Sequence, residues 1–355
     1  MTVMIMAGGT GGHVFPALAC AEALRERGHR VVWFGTRRGI ESRVVPQAGF
    51  EVEWSPMTGL RGKGALGWAV APFRLAGAVW NALGVLRRQR PKLVLGMGGY
   101  VAAPGGLAAW LSGVPLVIHE QNAIAGMTNR RLERFASRRL AAFAGAFRSC
   151  GVRICGNPVR REISMLASPA ERFAGRDGPL RLLVLGGSLG ATALNALVPS
   201  AIARLPEGRR PVVRHQTGRQ IDAARDAYAA HGVQAELGEF IDDMAGAYAW
   251  ADFVIARAGA LTVSELAAAG LGGILVPYPH AVDDHQSANA RVLVEAGAAV
   301  IEQQATLTAE TLAAHLDTLD RARALAWANA ARTLARPDAT QCVVATCEEV
   351  LDGRV

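Results

Sequence analysis

No apolar run in this 355-residue chain approaches the ~20 uncharged residues that a membrane-spanning helix needs. The amino terminus opens directly on a strand, TVMIMA, without a charged segment followed by a cleavage site. Both absences set the expectation of a soluble, cytoplasmic protein that is free to attach to a membrane surface. Lysine is nearly missing: Lys63 and Lys92 are the only two, and the other basic side chains are arginine, a skew that reads as genomic composition. Aromatic residues make up 6% of the chain, too few for the stacking platforms of a single-strand nucleic-acid groove. The five cysteines, Cys20, Cys150, Cys155, Cys342 and Cys347, contain no C-x-x-C pair and have no histidine beside them. A zinc knuckle and a dithiol redox motif are thereby excluded, and reduced thiols are expected. No Lys-Ser/Thr follows a glycine loop, so a Walker A phosphate loop is absent too.

What is present is a large apolar fraction, 51%, with 19% charged residues, enough for two cores in domains of roughly 150–200 residues. Charge is unevenly spread. Residues 1–157 hold 20 Lys and Arg against 7 Asp and Glu, an excess of 13 positive charges, whereas the remainder carries −5. Such a basic half fits a polyanionic partner, nucleic acid or anionic lipid.

Short apolar runs alternate with helix-period segments throughout. Strands are predicted at Val3–Met6, Val31–Phe34, Glu51–Trp54, Leu93–Leu95, Leu116–Ile118 and Arg139–Ala141. Helices are predicted between them, such as Pro16–Arg27, Leu66–Arg88, Pro104–Leu111 and Thr128–Phe135. The alternation pauses at FRSCGVRICGNP and starts afresh at RLLVLGG. Strands then recur at Leu182–Leu185, Val212–His215, Gln234–Leu237, Phe253–Ile255, Gly273–Val276 and Ala299–Glu302, and Thr308–Ala335 and Ala339–Leu351 read as closing helices. Strict β–α alternation implies doubly wound parallel sheets. MIMAGGTGGHVFPALA and LLVLGGSLGATALNAL share strand, Gly-Gly, hydroxyl, glycine and helix, a weak internal repeat. The expected fold class is therefore α/β, two Rossmann-like domains facing across a cleft. Its expected bounds are 1–158, 159–335 and a closing helix within 336–355.

Glycine turns follow several strands. Gly8-Gly9-Thr10-Gly11-Gly12-His13 does not fit the G-x-G-x-x-G spacing, and no acidic residue directly ends the second strand, so a dinucleotide site is disfavoured. An anion loop and a tight packing turn explain it equally well. His13 stands where a helix begins, and the partial positive charge there disfavours an imidazolium. It reads as a neutral proton acceptor or as a cap. Gly96-Met97-Gly98-Gly99-Tyr100 and Pro104-Gly105-Gly106 add further glycines and point to a second phosphorylated ligand. His119-Glu120-Gln121-Asn122 ends a strand with four polar side chains. Arg160 reads as a diphosphate contact or a surface arginine, and Ser188 as a phosphate donor or a helix cap. His280 with Asp283-Asp284-His285 reads as a polar loop, not a metal site.

In the second half, Phe253–Ile255 runs through a small-residue turn into a helix opening near Leu261. The unpaired N–H groups of such an end hold phosphate, and Glu265, about one turn in, is placed to take two vicinal sugar hydroxyls. A first-turn acidic residue in an ordinary strand–turn–helix is the plainer account. Residues 67–90 combine Trp68, Val70, Phe73, Leu75, Val79 and Trp80 with Arg74, Arg87, Arg88 and Arg90. Flanked by Arg61, Lys63 and Lys92, they read as an anionic-membrane face or as a buried helix with charged ends.

Together GGTGGHVFPA, GMGGYVAAPGG, HEQN, GNPVR, GGS-x-GA, FIDDMAGAY and GALTVSE, in that order, resemble the peptidoglycan N-acetylglucosaminyltransferase (MurG) family of the GT-B class over nearly the whole chain. The resemblance implies an inverting transfer of N-acetylglucosamine from UDP-N-acetylglucosamine to undecaprenyl-pyrophosphoryl-N-acetylmuramoyl-pentapeptide (lipid I), giving lipid II. No metal and no cofactor are expected, and no nucleic acid. The lipid acceptor and an anionic membrane surface would meet the N-terminal domain at the cytoplasmic face of the inner membrane. Carried over, the donor contacts are Thr10, Gly11, Gly12, Asn122, Arg160, Ser188, Ile241, Ala260, Leu261, Thr262, Val263, Ser264, Glu265 and Gln286. Ile241 would meet the uracil, Glu265 the ribose, and Arg160, Ser188 and the Leu261 helix end the diphosphate. His13 is the expected base, with Glu120 its competitor. Departures from the family pattern are Ala258 where serine is usual, His285-Gln286 where two glutamines are common, and a Pro279–Asp284 loop one residue longer. The alternatives are another GT-B enzyme acting on a lipid or natural product, or a non-catalytic nucleotide-sugar or nucleic-acid binder.

Overall fold

The computed structural model describes residues 1–57, 65–187 and 190–354. It divides into two compact units, one of Met1–Arg160 with Asp338–Val355, the other of Arg161–Pro337.

The first unit runs β1 (Thr2–Met6), α1 (Gly11–Glu26), β2 (Arg30–Gly35), α2 (Glu41–Gln47), β3 (Glu51–Trp54), α3 (Ala65–Gln89), β4 (Leu93–Gly96), α4 (Ala102–Leu111), β5 (Leu116–Glu120), α5 (Met127–Leu132), β6 (Arg138–Ala141) and β7 (Val152–Ile154). Its seven strands lie in the order β3-β2-β1-β4-β5-β6-β7, with parallel pairing throughout. Both faces of this sheet are covered, which is why its strands are continuous apolar runs. Val3 and Ile5 pack on one face against Val14, Ala17, Ala21 and Leu24 of α1. Met4 and Met6 point the other way, into a core with Val79, Ala82 and Val85 of α3 and Ala108 and Ala109 of α4. The period-2 alternation of a strand thus feeds two cores from one five-residue run.

The second unit contains α6 (Arg161–Ser164), α7 (Pro169–Phe173), β8 (Arg181–Leu185), α8 (Thr192–Ala203), β9 (Val212–Gln216), α9 (Ile221–Ala230), β10 (Glu236–Gly238), α10 (Met244–Trp250), β11 (Phe253–Ala256), α11 (Ala260–Ala269), β12 (Gly273–Leu275), α12 (His285–Glu295), β13 (Ala299–Ile301), α13 (Ala309–Asp317) and α14 (Arg321–Thr333). Its six strands are again parallel, in the order β10-β9-β8-β11-β12-β13. The predicted helix over Thr308–Ala335 is two helices. Asp320 accepts a hydrogen bond from the Arg323 N–H at 2.7 Å and starts α14 afresh.

The chain then returns to the first unit. α15 (Ala339–Leu351) seals the α1 face of the sheet with Val343, Val344, Cys347 and Val350. There Cys342 is disulfide-bonded to Cys155, with Cα atoms 5.5 Å apart and a sequence separation of 187. This corrects the expectation of five reduced thiols. Local spacing pairs only neighbours, whereas the returning helix brings a distant cysteine to the end of β7. Cys20, Cys150 and Cys347 are free thiols.

Candidate active site

In each sheet the strand order reverses beside the first strand of the unit, between β1 and β4 and between β8 and β11. Crevices for ligands in open α/β sheets form at the carboxyl ends of strands flanking such a reversal. The segments that leave those strands include Gly8–Thr10, Met97–Val101, Gly186–Gly187 with Gly190–Ala191, and Arg257–Gly259, and they contain most of the glycine motifs.

In the first unit, Gly9 adopts φ +101° and Thr10 precedes α1 as an extended residue whose side chain makes no cap. Gly11, Gly12 and His13 form the first turn of the helix, where the His13 N–H donates to the Thr10 carbonyl at 3.1 Å. The turn is held by Glu41, which is fully buried on α2 and was not anticipated. Its carboxylate accepts the N–H of Gly9 at 3.0 Å, the N–H of Thr36 at 3.1 Å and the Thr36 hydroxyl at 2.7 Å. An acidic residue therefore does follow β2, six positions beyond its end. It was missed because only the residues directly after the strand were weighed, and these bonds commit it to shaping the loop.

Most of the glycines at 96–106 also have a packing reason. A Cβ on Gly99 would collide with the Gly8 carbonyl oxygen, one on Gly105 with the Met6 sulfur, and one on Gly106 would lie 2.8 Å from Leu132. Gly98, at φ +89°, lies against the His13 ring: an added Cβ would be 2.8 Å from His13 Nδ1. Backbone here meets backbone or ring where a side chain does not fit.

At the end of β5, His119, Glu120 and Gln121 are all buried. Glu120 accepts from the Asn122 N–H at 2.9 Å and its Nδ2 at 3.1 Å through Oε1. Through Oε2 it accepts from the Gly126 N–H at 3.0 Å and Asn129 Nδ2 at 2.9 Å. Four donors on two oxygens make it the organiser of the 121–129 loop, and they fix Asn122 in place. His13 Nδ1 is 2.9 Å from Gln121 Oε1. The Arg160 guanidinium stacks 5.6 Å from the centre of the Phe15 ring on α1.

In the second unit, the turn after β8 contains Gly187 and Gly190 at φ +82° and +77°. Ser188 lies outside the described residues. Ile241 is half-buried between β10 and α10. Gly259, extended and without a side-chain cap, precedes α11, so Ala260, Leu261, Thr262 and Val263 form its opening turn and Ser264 and Glu265 follow. Glu265 is buried and accepts a hydrogen bond from the Tyr248 hydroxyl at 3.0 Å, a partner on α10 that the sequence does not reveal. Arg257 is turned to the Val276 and Pro277 carbonyls, at 3.0 and 3.1 Å, and burial lowers its pKa. Ala258 is fully buried, and its carbonyl accepts from Asn289 Nδ2 at 3.2 Å. In the loop before α12, Asp283 and Asp284 adopt left-handed φ values of 52° and 50°. Gln286 caps that loop by accepting the Tyr278 N–H at 2.9 Å, which directs its amide N–H groups elsewhere. Among the described residues, no group of three His, Cys, Asp or Glu side chains is gathered as a metal site.

The structure thus gathers Thr10, Gly11, Gly12, His13, Glu120 and Asn122 on one unit. Ile241, Ala260–Glu265 and Gln286 lie on the other. Residues 3–140 match the glycosyltransferase family 28 N-terminal domain, and residues 181–342 match its C-terminal domain. The chain belongs to glycosyltransferase family 28. Within that family it is 58% identical over 352 residues, 98% of its length and 99% of the relative's, to a protein from Alkalilimnicola ehrlichii. That relative is named UDP-N-acetylglucosamine--N-acetylmuramyl-(pentapeptide) pyrophosphoryl-undecaprenol N-acetylglucosamine transferase. A transferase of the same name from Marinobacter nauticus is 56% identical over 99% of this chain and 98% of its own. Among solved structures, MurG of Acinetobacter baumannii superposes with a TM-score of 0.85 at 41% identity, covering 98% of this chain and 99% of that one. The calicheamicin glycosyltransferase CalG4, at 18% identity and a TM-score of 0.68, shares the fold. The family 28 chain thus has the GT-B fold, two parallel-sheet α/β domains of seven and six strands.

Proposed function

We propose that this family 28 enzyme transfers N-acetylglucosamine from UDP-N-acetylglucosamine to the muramoyl 4-hydroxyl of lipid I, forming lipid II for peptidoglycan. The observation that carries the reading is its full-length identity, 58% over 98% of the chain, with a relative named for that reaction.

His13 accepts the proton of the acceptor hydroxyl as that oxygen attacks the anomeric carbon. The bond from that carbon to the diphosphate oxygen breaks, the configuration inverts, and UDP leaves with the bonding pair. The four donors already on Glu120 support His13 over Glu120 as the base. The opening turn of α11 stabilises charge on the departing diphosphate, joined by Arg160 and Ser188. Glu265, oriented by Tyr248, takes the ribose hydroxyls, Ile241 the uracil and Gln286 the sugar. Thr10, Gly11, Gly12 and Asn122 frame the reacting groups on the first unit.

The acceptor is lipid-borne, and the reading makes the enzyme a peripheral protein of the cytoplasmic membrane face, bound to anionic lipid. No described helix is long and apolar enough to cross a membrane. Phe73 and Trp80, two turns apart on α3, are 79% and 74% exposed, beside an exposed Arg74 and the basic end Arg87–Arg88. Apolar rings flanked by arginine favour an anionic bilayer surface. Val79 is buried and Leu75 packs against the core, while Arg61, Lys63 and the side chains of Trp68 and Val70 lie outside the described residues.

The deciding assay measures UDP release from UDP-N-acetylglucosamine with and without a short-chain lipid I analogue. Release that depends on the analogue is expected. Equal release without it, or preference for another sugar nucleotide, would overturn the reading.

A further inference from the structure

Resting on the reading of His13 as the base, we propose that Gln121 is a positioning residue that fixes the His13 tautomer, leaving Nε2 as the proton acceptor. Two carbonyl oxygens, of Met97 and Gly156, can only accept. The Met97 carbonyl oxygen is 2.9 Å from Gln121 Nε2, so the amide nitrogen must face it. Gln121 Oε1 is thereby turned to His13 Nδ1, 2.9 Å away, and an amide oxygen requires Nδ1 to carry the proton. In a neutral ring Nε2 is then bare, and it has no partner among the described residues.

The far side of the chain enforces the same orientation. The Gly156 carbonyl is 2.9 Å from His119 Nε2, so that nitrogen donates and His119 Nδ1 must accept. It accepts the other Gln121 Nε2 hydrogen at 3.2 Å. Burial lowers His119 to about 4, which keeps its ring neutral and prevents two donors from meeting. Asn157 Nδ2 donates to the Gln121 carbonyl at 3.0 Å and holds the backbone, and glycine at 98 leaves room for the His13–Gln121 contact. A flipped amide would set its oxygen against the Met97 carbonyl and against a bare imidazole nitrogen. Gly156 and Met97 thus dictate, through two buried side chains, which nitrogen of His13 is available.

Nitrogen-15 NMR of the full-length, histidine-labelled enzyme tests this directly, with His13 and His119 assigned through His13→Asn and His119→Asn. At neutral pH the expected spectrum has His13 protonated on Nδ1 and bare on Nε2, and His119 the reverse. A His13 ring protonated on Nε2, or an equal mixture of tautomers, would overturn the assignment. In Gln121→Met the His13 preference should be lost and kcat should fall about ten- to a hundredfold, part of what a positioned base supplies. The KM for UDP-N-acetylglucosamine should change little. In a His13→Ala background the same substitution should cost almost nothing more. An undiminished cost in that background, or wild-type turnover in Gln121→Met, would reduce Gln121 to a packing role. Should His13→Ala itself retain turnover, the base reading falls, while the spectrum still decides the tautomer.

Discussion

Each unit sends its first strand into a glycine turn and a helix, yet the two turns are closed differently. After β1 the turn is held by a buried carboxylate, Glu41, and by the Gly99 backbone, and it delivers an imidazole on the third residue of α1. After β8 Gly190 packs against the Thr217 and Gly218 backbone, and the Asn195 side chain donates to the Thr217 carbonyl at 3.0 Å. One strand over lie the start of α11, which has no side-chain cap, and the Tyr248–Glu265 pair. The first unit thus sets the His13 ring against Gln121, and the second sets Glu265 one turn into α11. A shared backbone motif sets where a site can form, and the side chains that close it determine its chemistry.

The sharpest way to break the comparison is His13→Ala. It should lower kcat about 100- to 10 000-fold while UDP binding by calorimetry stays intact, because it removes a base and no donor contact. Glu265→Ala should do the converse. It should weaken UDP binding by about 1.5–3 kcal/mol, roughly ten- to a hundredfold, since a charge-assisted hydrogen bond is lost. Unchanged UDP affinity would cancel the ribose assignment.

Gly99→Ala and Gly190→Ala form a matched pair, each placing a Cβ on a positive-φ residue against backbone. Each should cost about 1–3 kcal/mol in urea unfolding. The first should also depress kcat, and the second should act on donor KM, if the turns serve the separate roles described. Equal effects on both constants would erase the distinction.

Acid provides the finest comparison, since each unit buries one neutral histidine, His119 at about 4 and His215 at about 3, both lowered by burial. The unfolded chain binds a proton at each below its ordinary value near 6.5, and the fold does not until these lower values. Stability is therefore complete above about pH 6.5 and is lost as the pH falls toward 4 and then 3. His215→Leu should flatten the dependence of the second unit by about 1.4 kcal/mol per pH unit between 6 and 4. An unaltered slope would show that His215 is not buried neutral.

Most strands were readable because a parallel sheet covered on both faces is written as short unbroken apolar runs, as at Val3–Met6 and Phe253–Ile255. β7 was missed: Val152-Arg153-Ile154 is three residues long, lies at a sheet edge and is half-exposed, so it has neither length nor pattern. The helices α2, α6, α7 and α10 run four to seven residues, too short for a periodicity to register. Of the site, the glycine turns and the α11 start were visible as strand–turn–helix grammar. Glu41, the Gln121 bridge and Tyr248 were not, because their partners lie 32, 108 and 17 residues away.

The sequence alone determined the two α/β halves, the order of the motifs and the family they belong to, because local period and turn chemistry are written residue by residue. Tertiary structure alone decided that α15 returns to the first unit, that Cys155 meets Cys342, and that Gln121 stands between His13 and His119. Those outcomes depend on which strands end side by side. That adjacency is set by burying apolar surface across the whole chain, and no local stretch encodes it.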